Sequence, residues 1–306
     1  MKMKFCIVGL GETGATITGL LIEKYTNCSI HILDPSDSIS GRLLDLEHAA
    51  SFKNVRISLN DFKNAEQSDV LFYCAGIRND KNSDRTTEVK NNKFIIEAVF
   101  NQFKPNKECK IIVLTNPVES ITKWISEELQ YENTVVGTGT ELDTYRLKYI
   151  LAKFFNTKPI DININVLGEH GQLMLPIYSS AKVNENFLLT LIDTDKLKSF
   201  TEELKSAAKT IRLTEIATKY GVSQCAIFIM ESFFSSKPNH HNVSTKVNSY
   251  YRGLLNTDEA LFISLPCEIS SKGIKIQNDK KLNDQEIKQL QEAAKKIMRV
   301  NQSANK

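Results

Sequence analysis

The sequence predicts an α/β protein, an N-terminal doubly wound parallel sheet followed by a C-terminal α+β domain. Three observations predict it. Short β-branched runs alternate with helical periodicity through the first 140 residues, the first run ends in closely spaced glycines that open a helix, and the rhythm changes after about residue 141. Such alternation marks parallel strands joined by crossover helices. A chain of 306 residues, 41% of them hydrophobic, has room for two medium domains with real cores, here 1–141 and 142–306.

Each element has its own signal. Residues 4–8 are a short apolar run ending at a glycine, and 15–25 carry helical spacing. Strands follow at 29–33, closed by Asp34-Pro35, and at 70–75, 110–114 and 134–137, with helices at 88–103 and 118–129 between them. Beyond residue 141 the pattern predicts a helix over 142–155, an alternating strand over 160–166, and helix over most of 195–235 with a break at Tyr220-Gly221. Strands are expected at 261–265 and 268–275. A last helix opens near Asn283, with Glu286 three residues on as in a capping box. Its stripe of Ile287, Leu290, Ala294 and Ile297 reads as core. His31 falls in a strand, His48 in a helical segment and His240-His241 in a loop after Pro238. The apolar faces of 39–50 and 142–155 fit either core or a subunit contact. With no flexible linker between the halves, a site is expected where they meet.

Composition removes several classes of function. Lys and Arg number 39 against 36 Asp and Glu, and no block of five like charges occurs, which argues against nucleic acid and anionic membrane as partners. No run of eighteen apolar residues could span a membrane. The basic start before an apolar stretch resembles a signal peptide, but three glycines interrupt it within six residues and no small-residue cleavage site follows. Cysteines 6, 28, 74, 109, 225 and 267 show neither a disulfide framework nor zinc-ligand spacing, as expected of a protein of the reducing cytosol. Sequons at Asn27, Asn242 and Asn301 are chance matches in that setting.

The glycines are the first chemical signal. Gly9-x-Gly11-x-x-Gly14 follows a strand and opens a helix. The first glycine permits the tight turn, the second lets a pyrophosphate approach the backbone, and the third packs helix on strand. The phosphates would sit at the helix N-terminus, where free N–H groups and the dipole favour negative charge. Asp34, twenty residues beyond Gly14 at the end of the second strand, stands where a carboxylate bonds the ribose hydroxyls of a dinucleotide. It would repel a 2′-phosphate, which favours NAD over NADP and a Rossmann reading of the first domain. The bland alternative is a structural turn beside a solvated aspartate.

A second constellation lies downstream. Leu167-Gly168-Glu169-His170-Gly171 follows a strand, and its two glycines allow the backbone to set the ring in a cleft. Asp143 and Arg146, three apart in a segment that opens a helix, share a helical face. They fit a surface ion pair, or an aspartate orienting His170 beside an arginine that grips a carboxylate.

With these residues in hand, the chain resembles the lactate/malate dehydrogenase family over nearly its whole length. The resemblance rests on the glycine loop, Asp34, Cys74-Ala75-Gly76, Arg85, Thr115-Asn116-Pro117, Leu142-Asp143-Thr144-x-Arg146 and Gly168-Glu169-His170-Gly171. Val243-Ser244-Thr245 and Ser264-Leu265-Pro266-Cys267 are similar to the lactate branch. It implies NAD as cofactor and a small 2-oxo or 2-hydroxy acid as substrate. It implies His170 as proton donor, Asp143 as its orienter, Arg146 on the substrate carboxylate and Arg85 on a mobile loop polarising the carbonyl. Asn116, Asn79 and Thr218 would line the substrate. Gly76, Arg78, Asn92 and Asn116 would join Gly9, Gly11, Gly14 and Asp34 around the cofactor. Homo-oligomers, tetramers in the lactate branch, are implied as well.

The third residue after Gly76 discriminates within that family: malate enzymes carry Arg there and lactate enzymes usually Gln. This chain has Asn79, a shorter neutral amide, beside Arg78. Pyruvate is therefore the expected substrate, with L-2-hydroxyisocaproate-type or malate activity as alternatives. The shorter amide at 79 and the Gln172-Leu173 departure after Gly171 leave room for a bulkier substrate, and the loop also lacks the usual glycine near Asn82. Lys148 and Asn163 replace the Arg and His with which some bacterial relatives bind an activating sugar bisphosphate, so no such activation is expected. Other readings are weaker. A non-catalytic NAD binder needs none of Arg85, Asp143, Arg146 and His170. Tyr149-x-x-x-Lys153 has short-chain dehydrogenase spacing but lies within a helix. An NAD-dependent glycosidase needs a metal, and no Cys/His pair stands out as ligands.

Overall fold

The computed structural model describes residues 3–77, 85–131, 134–215, 217–278 and 282–304, and for 85–88 the backbone alone. Eleven elements build the first half in strict alternation. They are β1 (Lys4–Val8), α1 (Glu12–Lys24), β2 (Ser29–Leu33), α2 (Ser40–Ser51), β3 (Arg56–Leu59), α3 (Phe62–Ala65), β4 (Val70–Tyr73), α4 (Arg85–Phe100), β5 (Lys110–Val113), α5 (Val118–Leu129) and β6 (Val135–Gly137). The strands pair in parallel in the order β3-β2-β1-β4-β5-β6. That is the doubly wound Rossmann arrangement, and its order reverses between β1 and β4. Beyond the carboxyl ends of those strands lies the crevice where such sheets bind ligands.

β1 shows why near-continuous apolar runs suit this sheet. Phe5 and Ile7 enter one core with Ile17 and Leu21 of α1, while Cys6 and Val8 enter a second core with Phe100, Ile121 and Trp124. Both faces are covered by helices, so no strand residue there can be polar without a partner.

The second half contributes α6 (Glu141–Phe155), β7 (Ile162–Asn163), β8 (Val166–Gly168), β9 (Met174–Pro176), β10 (Lys182–Val183) and β11 (Asn186–Phe187). It continues with α7 (Thr194–Ile211), α8 (Tyr220–Phe233), β12 (Asn239–Lys246), α9 (Ser249–Leu255), β13 (Phe262–Ser270), β14 (Gly273–Ile276) and α10 (Asp284–Ser303). The sheet does not stop at β6. Ser244 of β12 pairs antiparallel with Gly137, and the order runs on through β13, β8 and β9. A small separate sheet, β11-β10-β7, backs α6.

Several sequence expectations are corrected. Residues 160–166 are not one strand: a short 3-10 turn leads into β7 of the small sheet, and β8 belongs to the large one. The pieces at 261–265 and 268–275 are a nine-residue strand β13 running through Pro266, then β14 after a turn. The helical break precedes Tyr220, which is the first residue of α8. His240 and His241 lie in β12 rather than in a loop. The capping box at Asn283 and Glu286 is present, and Leu290, Ala294 and Ile297 are buried, while Ile287 is only half-buried. Helix α6 sends Leu147, Ile150 and Leu151 into the core and leaves Tyr145, Tyr149 and Phe154 exposed, whereas α2 buries only Ala50. All six cysteines are free thiols.

Candidate active site

The glycine loop is explained by contacts. Gly9 has φ +90°, and a Cβ there would lie 2.7 Å from Ala75 backbone atoms. A Cβ on Gly14 would lie 2.0 Å from the Gly9 carbonyl oxygen, so only glycine brings α1 this close to β1. Gly11 differs: it is the N-cap of α1, offers no side-chain cap, and a Cβ there would enter open space. That open space over a helix N-terminus leaves room for an anionic group.

Asp34 closes β2 half-buried. Its Oδ2 accepts the Leu10 N–H at 2.7 Å and its Oδ1 accepts the Ser36 N–H at 2.9 Å, fixing the carboxylate beside the loop. A cavity of about 440 Å³ opens there, lined by Asp34, Pro35, Ile39, Leu43, Leu59 and Asn60 among others. Across the sheet, the buried Asn92 amide ties two strand-end loops together. Its Oδ1 accepts the Ile77 N–H at 3.0 Å and its Nδ2 donates to the Asn116 carbonyl at 3.2 Å. Gly76 lies under Asn92 and Thr115, where a Cβ would meet Thr115 at 2.6 Å. The Asn116 side chain is exposed, and its peptide bond to Pro117 is cis.

The first turn of α6 is stitched to β8 and β13. The Thr140 N–H donates to Ser264 Oγ at 3.1 Å, Thr140 Oγ1 donates to the Val166 carbonyl, and the Val166 N–H donates to Thr144 Oγ1 at 3.1 Å. This brings Asp143 against the residue two positions past β8. Asp143 Oδ2 lies 2.6 Å from His170 Nδ1, and Oδ1 accepts from Arg146 Nη1 at 3.1 Å. Asp143 is fully buried, while the His170 side chain keeps 23% exposure and Arg146 14%. Burial disfavours the His170 cation, yet the Asp143 charge and hydrogen bond, helped by Glu119, raise its pKa above the usual value. For Asp143 burial opposes ionisation, and His170 and Arg146 outweigh it, so its carboxyl is held below the ordinary range. The thiol of Cys74, directly after β4, is pushed up to about 12 by burial, away from thiolate chemistry.

Of the other expected site residues, Thr218 is half-buried two residues before α8. Arg85 is the first residue of α4, and its side chain lies outside the described set, as do Arg78 and Asn79 altogether. Sequence reasoning missed three buried or bridging carboxylates. Glu119 Oε1 accepts the His170 N–H at 2.8 Å, and Glu141 pairs with His241 at 2.8 Å. Glu12 in the first turn of α1 reaches Arg42 of α2 at 2.5 Å and Lys219 at 3.1 Å. For Glu119 a signal existed: Glu119, Thr122 and Ser126 form a polar stripe at helical spacing, which reads as solvated but is buried.

Comparison with known proteins agrees with this geometry. Residues 3–137 match the lactate/malate dehydrogenase NAD binding domain, and residues 140–305 match the lactate/malate dehydrogenase alpha/beta C-terminal domain. The chain belongs to the lactate/malate dehydrogenase family. It is similar to the L-lactate dehydrogenase B-A chain of Danio rerio, 29% identical over 96% of this chain and 90% of that one. Two solved structures share the fold. A minor L-lactate dehydrogenase from Enterococcus mundtii superposes with TM-score 0.89 at 22% identity, covering 99% of this chain and 98% of that one. A malate dehydrogenase from Cryptosporidium parvum gives TM-score 0.88 at 23% identity, covering 100% and 99%. Membership of the lactate/malate dehydrogenase family makes the protein an NAD-dependent oxidoreductase.

Proposed function

We propose that the chain is an NAD-dependent L-2-hydroxy acid dehydrogenase that reduces pyruvate to L-lactate. The observation that carries the reading is the shared carboxylate. Asp143 holds His170 with one oxygen and Arg146 with the other, which sets a proton donor and a carboxylate-binding fork side by side at a partly exposed surface. NAD, when bound, supplies or accepts the hydride at the carbonyl carbon. His170 gives its proton to the carbonyl oxygen during reduction and takes it back during oxidation. Arg146 takes the substrate carboxylate and Arg85 polarises the carbonyl, while Asn116, Asn79 and Thr218 line the substrate. Gly9, Gly11, Gly14, Asp34, Gly76, Arg78, Asn92 and Asn116 hold the dinucleotide. On this reading residues 1–141 serve the cofactor and 142–306 the substrate, in a cytosolic homotetramer.

Asn79 supports pyruvate over oxaloacetate, provided that Arg78 faces the cofactor rather than the substrate. Burying a second carboxylate without a cation costs about 3–5 kcal/mol, or about two to three and a half decades in specificity. The departure after Gly171 gives a bulkier substrate little support, because Gln172 is exposed and Leu173 packs on the core. The test is NADH absorbance against pyruvate, 2-oxoisocaproate, phenylpyruvate and oxaloacetate. Highest kcat/KM with pyruvate is expected. Preference for oxaloacetate would transfer the discriminating role to Arg78 and overturn this substrate assignment, and no turnover with NADH bound would return the chain to a non-catalytic binder.

A further inference from the structure

The turn that carries His170 is pinned by two carboxylates. Glu169 folds back so that its Oε2 accepts the Leu173 N–H at 2.9 Å, and its Oε1 is held by Lys296 of α10 at 2.6 Å. Glu119 comes from the first turn of α5, 51 positions earlier, and its Oε1 accepts the His170 N–H at 2.8 Å. The two carboxylates are not alike. Glu169 has a lysine partner, whereas among the described residues no lysine or arginine lies within ion-pair distance of Glu119, which is only 2% exposed. A glutamine could accept the same N–H without the cost of burying a charge. What a glutamine could not do is favour a cation on the adjoining ring.

We propose that Glu119 is a positioning residue for His170: its carboxylate anchors the His170 backbone to α5, and its charge joins that of Asp143 in holding the proton the ring delivers. The proposal deepens the reading of His170 as the acid–base group and rests on it. The charged groups around the pair can be named. His170 and Glu169 face Glu119 from the turn, Asp143 and Arg146 face His170 from α6, and Lys296 of α10 neutralises Glu169. Burial pushes the Glu119 carboxyl up to about 7, with the His170 charge and backbone N–H bonds pulling it down and Glu169 pushing it up. Each of the two charges favours the charged form of the other group, so their titrations are coupled.

The experiment is a histidine-labelled NMR titration of the full-length protein, with and without NADH. The His170 signal is identified by its loss in His170→Asn. In the wild type the His170 ring should depart from a single-group curve. In Glu119→Gln, which keeps an acceptor for the His170 N–H, the curve should become single and its midpoint should fall by about one pH unit. The pH above which kcat/KM for 2-oxo acid reduction declines should fall with it, while KM for the 2-oxo acid changes less than kcat. Glu119→Asp, which keeps the charge, should recover part of the midpoint shift. An unchanged His170 midpoint in Glu119→Gln overturns the proposal. Should that variant fail to fold, a strict single-group curve for the wild-type ring overturns it equally. Absence of turnover with every 2-oxo acid would instead sink the functional reading, and the ring titration would still report whether Glu119 and His170 are coupled.

Discussion

Replacing Asp143 by Asn isolates the central claim about the site. Asp143 is fully buried, with Oδ2 at 2.6 Å from His170 Nδ1 and Oδ1 at 3.1 Å from Arg146 Nη1. Asn has nearly the same shape but one acceptor where two are needed. With its oxygen toward Arg146, its amide N–H faces Nδ1, so the ring proton is forced onto Nε2. A ring in that tautomer cannot accept a proton during oxidation, and during reduction its cation has lost the adjacent counter-charge. With the oxygen toward His170 instead, the amide N–H meets the guanidinium donor. Opposite charges about 4 Å apart at an effective dielectric of about 20 attract by about 4 kcal/mol, which is about three decades in rate. The same exchange in a serine-protease triad costs about 10⁴ in kcat. Steady-state NADH absorbance with pyruvate should therefore show kcat lower by about three to four decades, with the NADH Kd from fluorescence titration within about twofold of wild type. A folded Asp143→Asn protein whose kcat stays within about tenfold of wild type would refute the role given to the aspartate.

Four other outcomes are expected. Gly11→Ala should leave thermal stability within about 0.5 kcal/mol, since the methyl enters open space, yet weaken NADH by about tenfold or more by filling that space. Gly14→Ala should unsettle the loop itself, because its methyl would sit 2.0 Å from the Gly9 carbonyl oxygen; calorimetry and NADH titration separate the two, and equal behaviour would contradict the loop reading. Glu12→Gln should tighten NADH by about three- to tenfold at low salt and less at high salt, because it removes a negative charge near the phosphates and releases Arg42 and Lys219 toward them. Weaker NADH binding in that variant would mean that the Glu12 link between α1 and Lys219 matters more than its charge. Finally, Glu119 has a folded pKa above its unfolded one, so ionising it costs stability that is lost as pH rises from 4.5 through about 7. Glu119→Gln should be the more stable protein above about pH 7, by up to about 3 kcal/mol, and no more stable below about pH 4.5, as read from urea unfolding across pH.

The parts of the fold legible in the sequence are those set by local chemistry. β1 and α5 fall at the expected residues because an apolar run ending at Gly9, and a helix following Pro117, are self-contained signals. β12 was hidden because Asn-His-His-Asn-Val-Ser-Thr-Lys does not read as a strand. It is nonetheless an interior strand between β6 and β13, and several of its polar groups are met by residues far away in sequence. Asn242 donates to Thr144 Oγ1 at 3.0 Å and its N–H reaches Glu141 Oε2 at 2.7 Å, partners that no local window contains. β3 was missed for the opposite reason, as a four-residue edge strand whose residues are exposed or half-buried. In the site, His170, Asp143 and Arg146 were legible because turn glycines and i, i+3 spacing are written in the chain. The carboxylate from α5 was not, since a buried glutamate and a solvated one look alike until the packing is known.

The two histidine–carboxylate pairs on α6 show why packing, not residue type, separates chemistry from scaffold. Glu141 and Asp143 lie on the same helical turn, and each meets a histidine Nδ1, at 2.8 Å to His241 and 2.6 Å to His170. His241 is sealed. Its side chain has no exposure, and its Nε2 lies 2.8 Å from Ser232 Oγ, whose own proton goes to the Phe228 carbonyl at 2.9 Å. Both ring nitrogens are therefore occupied by protein partners, and neither is open to a substrate. His170 has the same carboxylate at the same nitrogen, but its side chain keeps 23% exposure and its Nε2 points away from the buried anchor. Removing the partner of the sealed pair would leave an uncompensated buried group, at a cost of about 3–5 kcal/mol in folding. Removing the partner of the open pair strips the counter-charge from a proton that must move. On the proposed function the first loss is read in denaturation and the second in turnover, because only the second pair is open to a substrate.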